Sequence, residues 1–285
     1  MILLRNEHYH GGVSVMRRVI IRTVRDANAR LLLLVGGSAD FTQNTVRLDL
    51  LADIAQSPRV KMVTGPSAIL TYLMFQNEDP VLRDPLVRRA IALAIDRDRI
   101  IRMKLGGRAV PATGLLAPGH WAYDAAVPRL SRDVVTSRRL LDEAGYPEPD
   151  GPGGRPRFSL SYKTSADPFR VGVARAIAND LREVGIEVEV RSFEFATFFT
   201  DIKKGSFQLA SMQTSEIVEP DMYQFLFHSS RIPTSEFPDA GNRWRYRSAQ
   251  ADRLIESGRH ELDRSARVGI YAQLGETHGF VRWLR

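Results

Sequence analysis

Cysteine is absent from all 285 residues. That excludes disulfides, thiolate nucleophiles and thiolate metal sites, and it fits an oxidising compartment where a stray thiol is a liability. Long apolar runs are missing as well: no stretch approaches the roughly 18 residues of a membrane span. The start, MILLRNEHYHGG, lacks the apolar core and small-residue cleavage site of a secretory leader, so the chain as written reads as one that stays in the cytoplasm. No GxGxxG follows a strand-like segment, and GxxxxGK[ST] and GxSxG do not occur, which leaves nucleotide binding and the serine-hydrolase elbow without support. Of the histidines (His8, His10, His120, His228, His260 and His278), only His8 and His10 lie close together, and no HExxH appears. Neither a metal centre nor a cofactor is expected.

Charge of one sign is in excess but is not organised. Lys and Arg number 40 against 33 Asp and Glu, a net +7, yet the basic residues are scattered and not interleaved with aromatics. A stacking platform for nucleic acid needs both features, so the excess reads as a solvated basic surface. What is present is an ordinary globular composition, 44% hydrophobic and 26% charged, in a chain long enough for one large domain or two ordinary ones.

The stretch LRDPLVRRAIALAIDRDRII, residues 82–101, carries the strongest local signals. Asp84 can accept from the open amides of a helix start, and Pro85 suits the first turn, where its missing N–H costs nothing. Val87, Ala90, Ile91, Ala94 and Ile95 recur at helical spacing and line one face, with Arg88 and Arg89 turned away. Asp98 is read as the cap of a second helix, Arg99 to Leu105, closed by Gly106-Gly107.

Before this stretch, strand-like and helix-like segments alternate. Residues 17–24 (RRVIIRTV) and 59–65 (RVKMVTG) read as strands, residues 71–77 (TYLMFQN) as another, and DANARLLLLVGG as a helix capped by Asp26 and stopped at Gly36-Gly37. DLLADIAQ reads as a short helix. Residues 106–131 are irregular but too apolar for a free linker, so they are expected to pack across a surface. A helix over 132–143 follows, stopped by Gly145, then the exposed loop YPEPDGPGGRP. RFSLSYKTS, IEVEVRSF (Ile186, Val188 and Val190 inward) and SFQLASMQ read as strands, with helices from Asp167-Pro168 to about Glu183 and over FATFFTDIKKG between them. That β-α-β-α-β order predicts an α/β fold with a mostly parallel sheet and flanking helices. Two closing helices, AQADRLIESGRHEL and RSARVGIYAQLGE, complete it.

Glu216, Glu219 and Asp221 cluster in TSEIVEPD, just after a strand, where α/β sheets place ligand sites. Two readings stay open here. The carboxylates could serve as acid and base in a cytosolic hydrolase. Alternatively the loop is polar or ligand-binding, with Asp221 capping the helix MYQFLF. No positioned nucleophile accompanies them, so the chain is read as a non-enzyme.

Several motifs, in order, resemble family 5 extracellular solute-binding proteins, the oligopeptide-, dipeptide- and nickel-binding components of bacterial ABC importers. LLRNEHYHGG looks like the family's RNPDYWGG. DPLVRRAIALAIDRDRII after TYLMFQN resembles its lobe junction, and DANARLLLLVGGSADFT, RRLLDEAGYPEPDG, IANDLREVGIEVEVRSFEFATFFTDIKKGSFQLASM, VEPDMYQFLFHSS and RYRSAQADRLIESG have counterparts too. The resemblance implies the type II periplasmic-binding-protein fold, with a mixed sheet and flanking helices. It divides the chain into a partial N-terminal lobe segment with a hinge strand (1–77), a nearly complete C-terminal ligand-binding lobe (78–262) and a truncated return helix toward the N-terminal lobe (263–285). Family members carry a large N-terminal portion before the RNPDYW point and end in a Pro-containing strand, which ETHGFVRWLR does not match. The implied role is binding of a solute, most readily a peptide, by closure of two lobes around it. The partner is then a membrane ABC permease, the state a monomer, and the location periplasmic or extracellular. A lone lobe acting as an interaction module or non-binding remnant is the other outcome. By the resemblance, Glu216 falls at the acidic position that meets a peptide amine, and Gln213 or Thr214 falls where the family usually has Trp. Lys163 lies near a carboxylate-meeting basic residue, and Tyr72 is on the hinge strand.

Overall fold

The computed structural model describes residues 1–43, 50–65, 67–127, 129–151, 154–214 and 217–277. The chain divides into two compact units, Met1–Gly65 and Pro66–Arg285. In the first, β1 (Ile2–Leu4) pairs antiparallel with β2 (Arg18–Ile20), Leu3 opposite Val19. Helix α1 (Ala27–Val35) starts as its sequence predicts: the Asp26 carboxylate accepts from Ala29 N at 2.7 Å, and Gly37 takes the left-handed conformation after its end. A short helix α2 (Leu51–Ala55) follows. The strand expected over 59–65 is not formed, because β-branched residues make a strand only where a neighbour completes the ladder, and none of the described residues pairs with this segment.

The second unit is built on one mixed sheet in the order β3-β6-β4-β5. β4 (Phe158–Ser165) lies parallel to both β5 (Ile186–Phe193) and β6 (Leu209–Thr214), while β3 (Leu70–Phe75) runs antiparallel along the outer edge of β6. Strand periodicity sorts side chains between two faces. Leu73, Phe75, Leu160, Tyr162, Ile186, Val188 and Leu209 enter one core, with half-buried Val190 packed against it. Leu70, Met74 and Ala210 enter the other.

Helices α3 (Pro85–Ala94), α4 (Arg97–Leu105), α5 (Val134–Glu143) and α6 (Pro168–Arg182) cover the first face. Asp84 caps α3 by accepting from Leu86 N at 2.8 Å, with Pro85 in the first turn as expected. Val87, Ala90, Ile91, Ala94 and Ile95 are wholly buried, but so nearly are Ala92 and Leu93, which makes α3 an interior helix rather than a one-sided one. Arg88 does not turn away: its guanidinium donates to the Leu82 and Arg83 carbonyls. The cap of α4 is Asp96, which accepts from Arg99 N at 2.8 Å, and not Asp98, which lies inside the first turn. Left-handed Gly106 closes that helix at a φ of 57°.

The opposite face is covered by α7 (Phe195–Lys204), α8 (Met222–Phe227), α9 (Ala249–His260) and α10 (Arg264–Thr277), with Leu115, Leu116 and Ala122 of the irregular 106–127 segment packed among them. Trp121, from the same segment, lies under the guanidinium groups of Arg264 and Arg267, about 5.0 and 4.9 Å from its ring centre. An irregular segment thereby becomes fixed structure.

Candidate functional site

The parallel strands β4 and β6 run side by side and end at the same rim of the sheet, where α6 and α7 begin. Asp167 fixes the start of α6 by accepting from Arg170 N at 3.0 Å, and Glu194 fixes that of α7 by accepting from Ala196 N at 2.7 Å. Between the two helix starts lies a cavity of about 290 Å³. It is lined by Ile69, Ser165, Arg170, Phe195, Phe198, Ser211, Met212, Gln213 and Thr214. A crevice at the carboxyl ends of strands is the usual ligand position in open α/β sheets, since the strands stop there and the helix starts splay.

Register decides which side of the rim each residue serves. Leu209 belongs to the α6 face and Ala210 to the α7 face, so Ser211 and Gln213 stand on the α6 side and Met212 and Thr214 on the α7 side. Gln213 Oε1 accepts from the Arg170 guanidinium at 2.9 Å, which joins the end of β6 to the first turn of α6. Phe198 is buried on the other side, and Phe195, stacked on Phe199 at 5.8 Å, is exposed at the rim. The lining therefore carries Phe195, Phe198, Met212 and the Thr214 hydroxyl on the α7 side, and Arg170, Ser211 and Gln213 on the α6 side.

The residues singled out by sequence do not all meet here. Gln213 and Thr214 line the cavity. Glu216 falls outside the described residues. Lys163 stands two residues before Ser165 on β4 but does not reach the lining: its ammonium meets Asp201 of α7 at 2.6 Å, under the Phe193 ring. Tyr72, opposite Met212 in the β3–β6 ladder, packs edge-on to Trp244 at 5.8 Å, and burial pushes its phenol up to about 12. Glu219 is exposed. Asp221 stands at the start of α8 yet makes no capping bond, because its backbone is already helical and its carboxylate turns to Arg259 at 2.5 Å. That corrects the capping role expected for it. Among the described residues, no group of three or more His, Cys, Asp and Glu side chains could hold a metal ion.

Sequence reasoning missed Arg170, Ser165, Phe195, Phe198 and Ser211. A signal for the first existed: the rule that drew attention to the loop after β6 applies equally to the end of β4, where Asp167-Pro168 opens a helix and Arg170 sits in its first turn.

The loop after β6 is held from outside the sheet. His120 Nδ1 accepts from Ala122 N at 3.0 Å, which leaves Nε2 as the protonated nitrogen, donating to Val218 O at 2.9 Å.

With this geometry established, comparison with known proteins gives a consistent result. Residues 1–232 match the profile of bacterial extracellular solute-binding proteins, family 5 (middle). This chain belongs to that family. A probable di/tripeptide-binding protein 5 of Pseudomonas aeruginosa (strain UCBPP-PA14) is 26% identical over 287 residues, covering 98% of this chain and 51% of that protein. The oligopeptide-binding protein AppA of Bacillus subtilis, solved with a nonapeptide, superposes with a TM-score of 0.81 at 24% identity, over 99% of this chain and 57% of that one. NikZ of Campylobacter jejuni, solved with Ni(L-His), gives 0.81 at 22% identity, over 99% and 58%. These superpositions establish the type II periplasmic-binding fold. The family 5 chain described here spans about half the length of the curated relatives it matches. Family 5 members are periplasmic or extracellular binding proteins rather than enzymes.

Proposed function

We propose that this chain supplies the solute-gripping face of a two-lobe binding component of an ABC importer, and that its solute is a peptide or a peptide-like acid. The carrying observation is the cavity at the ends of β4 and β6, lined on one side by Phe195 and Phe198 and on the other by Arg170 and Gln213. Such a surface offers affinity without a bond-making group. Peptide as the solute is supported by the relatives from Pseudomonas and Bacillus, a probable di/tripeptide-binding protein and an oligopeptide-binding protein.

On this reading residues 78–262 form the ligand-binding lobe, residues 1–77 contribute to the other lobe and carry the hinge strand, and 263–285 return toward that lobe. Closure follows from better contacts with the solute in the shut state, and an ABC permease receives the load. The protein acts as a monomer. Gln213 and Thr214 touch the solute at the rim, Glu216 meets a peptide amine, and Lys163 and Tyr72 act from the layer beneath. Isothermal titration of this chain, and of a form extended at its N-terminus, against di-, tri- and longer peptides tests the reading. Binding of any peptide series supports it; heats indistinguishable from dilution for both proteins across all series reject it.

A further inference from the structure

Two of the cavity residues, Gln213 and Thr214, stand at the end of β6, so the course of the chain just beyond them bears on the shape of the rim. Four residues past Thr214, the Val218 carbonyl accepts from His120 Nε2 at 2.9 Å, across 98 positions of sequence. Val218 is 66% exposed, whereas Ile217 beside it is buried in the α7-side core. Ile217 therefore plugs the loop into the core, and the His120 bond fixes which way the next carbonyl faces. Four residues span at most about 14 Å when fully extended, so a fixed Val218 restricts where the rim can go.

His120 is itself held by parts of the molecule that do not belong to that loop. Its Nδ1 accepts from the N–H of Ala122, a buried residue. Its backbone N–H donates to Ala117 O at 2.8 Å, and its carbonyl accepts from Tyr123 N at 3.0 Å. The ring stacks on Trp121 at 5.7 Å, and Trp121 lies under Arg264 and Arg267 of α10. A neutral ring with Nδ1 as acceptor has a single N–H, and Val218 O receives it. The contact is open to water, where a hydrogen bond adds little net stability. Its consequence is geometric: the loop keeps one course before a solute arrives, and a site ordered in advance loses less freedom on binding.

We propose that His120 is a positioning residue for the solute site. It does not line the cavity; it holds the loop after β6, and through it Gln213 and Thr214, in the arrangement that binds. The role rests on the solute-binding reading above. It makes the irregular 106–127 segment, and not the sheet alone, part of what sets affinity.

The two ring nitrogens can be tested apart. In His120→Asn the side chain reaches as far as Nδ1 and still accepts from Ala122 N, while in His120→Gln it extends to the place of Nε2 and still donates to Val218 O. A residue that merely shapes its own turn is rescued by Asn and not by Gln; a residue that positions the loop is rescued by Gln and not by Asn. The whole chain is compared with His120→Ala, His120→Asn and His120→Gln, each checked for folding by circular dichroism and thermal melting. Hydrogen exchange of the free proteins, read by mass spectrometry, should be about threefold or more faster over residues 211–222 in His120→Ala and His120→Asn. His120→Gln should stay close to the unaltered protein, with β4 unchanged in all. Ala-Phe, Ala-Phe-Ala and Ala-Phe-Ala-Lys-Ala are then titrated by calorimetry. The peptide bound most tightly should lose about three- to tenfold in affinity in the first two variants and less than about twofold in His120→Gln. Rescue by Asn and not Gln, or affinity unchanged in His120→Asn, overturns the proposal and leaves the peptide reading standing. Should His120→Ala fail to fold, the Asn and Gln variants decide. No binding of any peptide by the unaltered protein overturns the solute-binding reading, and this role with it, whatever the exchange shows.

Discussion

The carboxylate of Asp180 on α6, fully buried, meets the Arg99 guanidinium of α4 and accepts the Asp96 N–H at 2.9 Å. One side chain thus ties the α3–α4 junction to the helix whose first turn carries Arg170. Burial raises the Asp180 pKa above its ordinary 3.8, while the Asp96 N–H and Arg99 pull it back. A group whose folded pKa exceeds its unfolded one contributes stability that is whole below the unfolded value and is lost as pH rises through the folded value. Urea unfolding measured upward from below pH 3.8 should therefore show an Asp180-dependent decline that Asp180→Asn removes. Asp180→Ala also strands the Asp96 N–H and should cost about 1–3 kcal/mol. An unchanged pH profile in Asp180→Asn rejects this account.

Capping at α4 gives a sharper comparison. Asp96 accepts from Arg99 N, whereas Asp98 makes an exposed ion pair with Arg129. Asp96→Ala should lower stability by about 1 kcal/mol. Asp98→Ala should lower it by well under 1 kcal/mol, as exposed pairs usually do. Thermal melts of the two variants decide it, and the reverse order would restore Asp98 as the cap.

This pair of aspartates also shows how far the sequence can be read. Asp-Arg-Asp before a helical run announces a cap but not which aspartate provides it, since the choice depends on where the preceding helix releases its last carbonyl. The caps at Asp84 and Asp167, each followed by Pro in the first turn, were unambiguous because Pro leaves one register. Strands β4, β5 and β6 were legible from their alternation or β-branched composition. The segment 59–65 had similar composition but no pairing strand among the described residues, and pairing is a tertiary fact. At the site, Gln213 and Thr214 were found by counting along one loop. Arg170 carried the same strand-end signal, but that it shares a cavity with Gln213 depends on β4 and β6 ending at one rim, a property of the folded sheet.

Tyr72 offers a direct reading of burial. Its phenol, against Trp244 and opposite Met212, is pushed up to about 12 by desolvation, which the nearby Arg243 only partly offsets. Ultraviolet difference titration should show Tyr72 among the late-ionising phenols, and Tyr72→Phe should remove one such step while leaving the ionisation of the other phenols in place. Loss of an early-titrating phenol instead would place Tyr72 in contact with water and reopen it as a surface contact.

Lys163 separates a structural from a ligand-contacting role most cleanly. Its ammonium lies 2.6 Å from Asp201, with side-chain exposures of 16% and 27%, so the pair is partly shielded and α7 is pinned to β4 through it. Lys163→Met leaves the Asp201 carboxylate without its cation and should cost about 1–2 kcal/mol, part of which Asp201→Asn in the same background should recover. Because Lys163 does not line the cavity, the affinity of the folded variant for peptide should change by less than about twofold. The two measurements are independent, since one follows unfolding and the other binding by the folded fraction. A variant of undiminished stability whose affinity collapses would return Lys163 to the solute-contacting position that the family resemblance implied.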